Sequence, residues 1–212
     1  NGLAQEGAFV YLPKSVVLDK PLQIVYATKN DNSLFTQTRS LVVVEENAQV
    51  QITERHQNFS NSEVFTNAVT EIVVKQNAIV DFYKIQNDNF KCSIVDNTWV
   101  NQANNCNCTV DTFSFGGKMV RNNLTFSMLG EHSESNMRGI TLIGKDQLVD
   151  HHTLVDHLVP NCLSNELYKG IYDHNAKGVF NGKVMVHPDA QKTNAFQSNN
   201  NLLLTDDASI DT

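Results

Sequence analysis

The sequence predicts an all-β protein built as a stacked coil of short strands, a parallel β-helix. No stretch of useful length carries apolar residues at the i, i+3, i+4 and i+7 spacing of an amphipathic helix. β-branched and aromatic runs bounded by Asn and Gly recur instead. A strand–turn–strand unit also repeats, which is typical of a solenoid whose rungs bury their faces on one another.

Short strands are predicted through the first half of the chain. They cover residues 8–12, 16–18, 22–26, 41–44, 49–53, 71–74 and 79–83. In the last two pairs the strands are joined by a polar turn ending in Asn-Ala, and Asn47 and Asn77 lie thirty residues apart. Asn suits such corners because it tolerates the left-handed backbone region, and the small Ala can face a crowded interior. Similar units follow at Asn175 and, with Asp in place of Asn, at Asp207.

A β-sandwich is the competing architecture. It would prefer two-residue Asn-Gly or Asp-Gly hairpin turns, whereas this sequence contains Asn-Gly twice and Asp-Gly nowhere. No linker rich in Gly, Ser or Pro divides the chain, and its four prolines are scattered. We therefore expect residues 1–212 to form a single β-helix domain.

The composition restricts the partners. Hydrophobic residues make up 41% of the 212 residues, charged residues make up 18%, and the net charge is −7. An acidic chain lacks the basic residues that displace counterions from phosphates or attract anionic lipid, so we expect neither nucleic acid nor a membrane as a partner. No apolar run approaches the ~18 residues needed to cross a bilayer.

The cysteine content and the first residues indicate the compartment. Four cysteines are too few for a disulfide framework in a chain of this length, and no signal peptide is visible, so we expect a cytoplasmic protein. The chain does not begin with Met, and we expect a processed or trimmed amino terminus.

The densest polar cluster spans residues 150–157 and contains His151, His152 and His157. In a strand, His151 and His157 share one face, while His152 lies on the other. The two histidines on the same face are about 20 Å apart at ~3.3 Å per residue, so they cannot chelate one metal ion without help from neighbouring coils. A ladder of polar side chains bonded to adjacent rungs is the favoured interpretation, and a metal site is the alternative.

Cysteine thiols are the other candidate ligands or nucleophiles. Cys106 and Cys108 would lie on one strand face, but the second pair that a zinc site needs is missing, so we expect them to fill the core. Cys162 is a lone candidate for thiolate chemistry. No catalytic constellation emerges from the residues alone, and no Asp/Glu pair can be assigned as an acid and base.

Several segments resemble the SufB/SufD family, the scaffold subunits of the SUF machinery for iron–sulfur cluster assembly. The matching segments are residues 7–14, 117–124, 147–153, 168–171, 178–184 and 189–195. The resemblance is strong over residues 116–212 and weaker but continuous before them. Residues 197–204 resemble the SufD branch, because the SufB branch tends to carry Cys-Asp-Ser-Leu-Leu where this chain has Asn200, Asn201 and Leu202.

The resemblance implies a right-handed parallel β-helix and a scaffold that is not itself an enzyme. It implies partnership with a SufC-type ATPase, which supplies ATP hydrolysis, and with a SufB-type scaffold or a second SufD copy. An iron–sulfur cluster would be present transiently in the full complex, and we expect no cofactor bound by these residues.

The resemblance also implies further regions that this sequence lacks. SufD-like proteins continue with a Lys-Cys-Ser-His-Gly motif and a helical region that docks SufC, and they begin with a helical segment. We therefore expect a core fragment, and no functional residue of that motif can be transferred to it. Two other functions stay open: a secreted carbohydrate-binding or carbohydrate-cleaving β-helix, and a small metal-dependent enzyme built on residues 150–157.

Overall fold

The computed structural model describes residue 4 and residues 6–59 and 61–212. Its regular structure consists of fifteen strands: β1 (Phe9–Leu12), β2 (Leu22–Thr28), β3 (Leu34–Val44), β4 (Gln49–Asn58), β5 (Val64–Val74), β6 (Ile79–Gln86), β7 (Cys92–Gln102), β8 (Asn107–Ser114), β9 (Met119–Met128), β10 (Glu134–Ile143), β11 (Leu148–His157), β12 (Leu163–Tyr172), β13 (Lys177–Val186), β14 (Asn194–Leu203) and β15 (Ser209–Asp211). Among the described residues, no helix is long and apolar enough to span a membrane. Residues 1–3, on which the expectation of a trimmed amino terminus rests, lie outside this part of the chain.

Successive strands alternate between two parallel sheets. The odd-numbered strands β1 to β15 make an eight-stranded sheet, and the even-numbered strands β2 to β14 make a seven-stranded sheet. Each strand from β1 to β13 pairs in parallel with the strand two places further along the chain, as in the eleven-residue register of Leu34 with Val64 through Val44 with Val74. The result is a flattened β-solenoid of about seven turns, which confirms the predicted parallel β-helix.

Most predicted strands are present, and several are longer than predicted. Residues 41–44 and 71–74 are only the ends of the eleven-residue strands β3 and β5. The exception is residues 16–18, which form a single bridge from Val17 to Gln49 and no strand. The extensions carry polar residues such as Thr36, Thr38, Thr66 and Asn67, which do not stand out as strand residues until the neighbouring rung provides a partner.

Alternation along each strand divides the side chains between an interior and two outer faces. Apolar inward residues next to the corner at residues 45–48 and its equivalents form the larger core cluster, which includes Val50, Ile52, Ile72, Phe82 and Phe126. All five are fully buried. Burying each such side chain contributes roughly 1.5–3 kcal/mol, so this stack dominates the stability of the solenoid.

The predicted Asn corners are partly confirmed. Asn47 and Asn77 both have φ of 58°, and the Asn77 Nδ2 donates to the Asn47 Oδ1 over 2.9 Å, so the two corners stack one rung apart. Asn175 lies at the opposite edge of the solenoid, in the turn from β12 to β13. There the preceding residue, His174, takes the left-handed conformation, with φ of 54°. The two Asn-Ala units are thus different turns.

Glycine is required where an aromatic ring from the next rung covers the backbone. Gly139 pairs with Tyr168, and a Cβ built on Gly139 would lie 2.3 Å from two carbons of that ring. The ring packs against His151 and Phe180, with centroid separations of 4.9 and 5.0 Å, and these contacts restrict its movement away from Gly139.

We expect Gly139→Ala to lower the free energy of unfolding by about 1–3 kcal/mol, because the added methyl group overpacks the interior. Urea denaturation followed by circular dichroism measures the change. Gly144→Ala is the matched control, since its Cβ would meet no atom nearer than 3.7 Å. Equal stability of the two variants would contradict the packing argument.

Candidate functional site: a polar seam inside the solenoid

Polar residues interrupt the inward-facing apolar pattern halfway along several strands. In β4 the buried run Val50 and Ile52 continues with Glu54, and in β6 Val80 and Phe82 are followed by Lys84. We call the six residues Glu54, Lys84, Gln86, Asp96, Asn122 and His151 the polar seam. Glu54 and Lys84 are register partners in one sheet, Asp96, Asn122 and His151 are register partners in the other, and Gln86 follows Lys84 on the same face of β6. Hydrogen bonds connect the six residues within and between the sheets.

Lys84 is the only cation of the seam and is held between two carboxyl groups. Its Nζ donates to Glu54 Oε1 over 3.0 Å and to the two Asp96 carboxyl oxygens over 2.7 and 2.8 Å. All three side chains are buried, with at most 5% of their surface exposed. Burial alone would lower the pKa of Lys84, but Asp96 and Glu54 outweigh it and raise that pKa, so the ammonium form is retained.

A pair of amides connects this ion cluster to His151. Gln86 Nε2 donates to Asn122 Oδ1 over 2.6 Å, and Asn122 Nδ2 donates back to Gln86 Oε1 over 3.1 Å. The second hydrogen of Asn122 Nδ2 points to His151 Nδ1 at 3.2 Å, and His151 Nε2 lies 3.1 Å from Thr141 Oγ1. These partners assign the neutral tautomer that carries its proton on Nε2, with Nδ1 accepting.

His151 stays uncharged in this environment. Burial lowers its pKa to about 4, with a smaller contribution from His152. A cavity of about 10 Å³ lies between His151, Lys84, Asp96 and Tyr168, which is room for about one water molecule. The seam can therefore relay hydrogen bonds and hold a proton at fixed positions, but it leaves no space for an organic substrate.

The three histidines of β11 are separated as their alternation predicts. His152 lies on the outer face, where its Nε2 is 2.9 Å from Asp150 Oδ1. Asp150 also accepts from Arg121 Nη1 over 2.6 Å. His151 and His157 both face the interior. His157 lies at the far end of the strand, where its Nε2 is 3.0 Å from Ser164 Oγ and burial lowers its pKa.

The cysteines are buried at the corners and inside the core. Cys162 is 2% exposed, and its Sγ lies 3.4 Å from Ser133 Oγ. Cys106 and Cys108 are fully buried, as expected for core residues. Burial raises the pKa of Cys106 and of Cys92 to about 11, and that of Cys108 well above its ordinary value. These three thiols are protonated at neutral pH, and a protonated thiol is a poor nucleophile and metal ligand.

The predicted candidates do not form one site. His151 lies in the seam, His152 lies outside the sheet, and His157 and Cys162 lie near the next corner, each with different partners. Within the described residues, no group of three or more His, Cys, Asp or Glu side chains is placed to hold a metal ion.

The sequence interpretation missed most of the seam. Lys84, Glu54 and Asp96 each occupy an inward position of an apolar alternation, and this was the available signal. Glu54 and Lys84 are also thirty residues apart, the same spacing as Asn47 and Asn77, which predicts neighbouring rungs. The Asp96 contact crosses between the two sheets, and no spacing within the sequence predicts it.

Comparison with known proteins identifies the family. The family model described as "SUF system FeS cluster assembly, SufBD core domain" matches residues 26–212. An iron–sulfur cluster assembly SufBD family protein of Synechocystis is 32% identical over 98% of this chain and 48% of its own length. The chloroplastic protein ABCI7 of Arabidopsis thaliana is 27% identical over 99% of this chain and 46% of its own length. The iron–sulfur cluster assembly protein SufD of Escherichia coli is 26% identical over the whole chain and 51% of its own length.

These matches cover the solenoid and give no support to a carbohydrate-active β-helix. The chain spans about half the length of the curated relatives it matches. The matched region includes the whole polar seam, from Glu54 to His151. The chain belongs to the SufB/SufD family of the SUF system for iron–sulfur cluster assembly.

Proposed function

We propose that these residues are the central solenoid of a SufD-type scaffold subunit that works with a SufC-type ATPase and with a SufB-type scaffold or a second SufD copy. The match of the SufBD core model to residues 26–212 carries the proposal. In this role the chain performs no catalysis, and the iron–sulfur cluster is a cargo that the complex assembles.

The chemistry of the interior supports a scaffold role. The seam contains a lysine held by two carboxyl groups and a neutral histidine held by an amide and a hydroxyl group, and each serves as a rigid internal partner. The thiols of Cys92, Cys106 and Cys108 are buried with raised pKa values. We propose that cluster ligands are supplied elsewhere in the complex.

The SufD assignment within the family rests on residues 197–204. This segment lies in β14 and the turn after it. It carries Asn200, Asn201 and Leu202 where the SufB branch tends to have Cys-Asp-Ser-Leu-Leu. The identity to Escherichia coli SufD, 26%, is comparable with the identities to the other relatives.

The test is co-expression of the full-length polypeptide that contains these residues with the SufB-type and SufC-type proteins of the same genome. We expect one complex that contains all three chains on size-exclusion chromatography with light scattering. Iron and sulfide should be found in that complex after anaerobic reconstitution and not in the isolated polypeptide. If the SufB-type and SufC-type proteins form a complex that excludes this polypeptide, the proposed function is wrong.

A further inference from the structure

The outer face of the seven-stranded sheet carries two rows of outward-facing side chains on its later strands. The first row is Leu142, Ile171 and Leu202, which occupy the same register position on β10, β12 and β14. Their exposed fractions are 53%, 39% and 54%. An apolar ladder of this kind is costly to leave in water and is typical of a contact surface.

The second row runs beside the first and contains one cation. It consists of Phe113, Ile140, Lys169 and Asn200 on β8, β10, β12 and β14. Lys169 is exposed, and its neighbours on the same face of β12 are Leu167 and Ile171. Within the described part of the chain, its ammonium group has no hydrogen bond or ion pair. Arg138, on the same face, is held by Asp111 over 2.7 and 2.9 Å.

The spacing of these rows fits an α-helix lying along the solenoid axis. Neighbouring rungs are about 4.8 Å apart, and a helix advances about 5.4 Å per turn, so one side chain per turn can meet each rung over three rungs. The two rows are about 6.7 Å apart along the strands, which leaves a shallow trough between them. The surface beside Phe113 and Ile140 also contains a groove of about 210 Å³, bounded by Arg138 and Asp111.

We propose that the face formed by Leu142, Ile171, Leu202, Ile140 and Lys169, here called the helix-docking face, binds an amphipathic helix of a partner protein. The helix presents an apolar stripe to the ladder and a carboxylate to Lys169. Strand addition does not suit this surface, because the backbone groups of β10 and β12 are already used in the sheet. A second copy of the chain suits it less well, because Asp111, a carboxylate of the same face, is already paired with Arg138.

This surface is separate from the polar seam, and its role goes beyond the proposed assembly with SufB-type and SufC-type proteins. The inference can therefore fail while the proposed function holds, and the reverse is also possible.

The test uses two synthetic helical peptides, fluorescently labelled and compared by anisotropy. Both carry leucine once per turn over three turns. One places glutamate beside the middle leucine, at the turn that meets β12, and the other places lysine there. We expect the glutamate peptide to bind the protein about tenfold more tightly than its lysine twin, and we expect Lys169→Glu to reverse this preference.

Lys183→Glu is the matched control, because Lys183 is an exposed lysine in β13 on the outer face of the other sheet. It should leave both affinities unchanged, whereas Ile171→Ser should weaken both peptides. Thermal unfolding of each variant checks that the solenoid is intact. The proposal is overturned if neither peptide binds saturably, or if both bind equally to the wild type. Self-association that Ile171→Ser abolishes would instead assign the face to a second copy.

Discussion

Replacing Lys84 with methionine should lower the free energy of unfolding by about 3–5 kcal/mol, the cost of breaking a buried ion cluster from one side. Methionine fills a similar volume, so the loss is mainly electrostatic. It leaves Glu54 and Asp96 facing each other inside the solenoid without the ammonium group that now bonds to both. Urea denaturation at neutral pH, followed by circular dichroism and by tryptophan fluorescence, measures the change.

Two further variants separate electrostatics from packing. Lys183→Met, on an exposed outer position, should change stability by less than about 0.5 kcal/mol. The triple variant Lys84→Met with Glu54→Gln and Asp96→Asn removes all three charged groups and should recover part of the loss, because uncharged groups are less costly to bury. If Lys84→Met alone lowered the free energy of unfolding by less than about 1 kcal/mol, the prediction would be wrong, and water or a structural shift would be stabilising the two carboxyl groups instead.

The fold was predictable because a solenoid repeats local information. Asn47 and Asn77 mark the same type of corner on two successive rungs. The apolar runs on either side of each corner indicate the strands and their buried face. The polar extensions of β3 and β5 were not predictable, since residues such as Thr36 and Thr66 become strand residues through backbone pairing with the neighbouring rung. Their hydroxyl groups then contact each other over 2.9 Å.

The candidate site was predictable only where one strand contains the whole pattern. The alternation of residues 150–157 correctly separated His151 and His157 from His152, because that result depends on strand geometry alone. The partners of His151 come from β9 and β10, and the three groups of the Lys84 cluster come from β4, β6 and β7. Such contacts depend on the register between the two sheets, which no single repeat encodes. The Asn175 corner differed from the Asn47 corner for a related reason, since it belongs to the opposite edge.

The acid sensitivity of the protein should come in part from His151. Its pKa is about 4 in the folded protein, against an ordinary value of 6.5. Between these values the unfolded chain binds a proton that the folded chain does not, so falling pH favours unfolding. The stability of the wild type relative to His151→Gln should therefore be largest above pH 6.5 and should shrink by about 3 kcal/mol as the pH falls to about 4. Urea denaturation at half-unit pH intervals measures the two curves.

The control is Gly144→Ala, which removes no titratable group and adds a Cβ that would meet no atom nearer than 3.7 Å. Its stability curve should run parallel to that of the wild type. Parallel curves for His151→Gln would contradict the assignment, and so would an NMR titration in which the His151 ring protonates above about pH 5.5 in the folded wild type.

Protonation would place an N–H on Nδ1 against the Asn122 amide, whose two hydrogens are directed to Gln86 and to that same nitrogen. The Asn122 side chain cannot turn its oxygen to His151 without losing both hydrogen bonds to Gln86, so a charge on His151 disrupts the seam as far as the amide that also contacts Asp96.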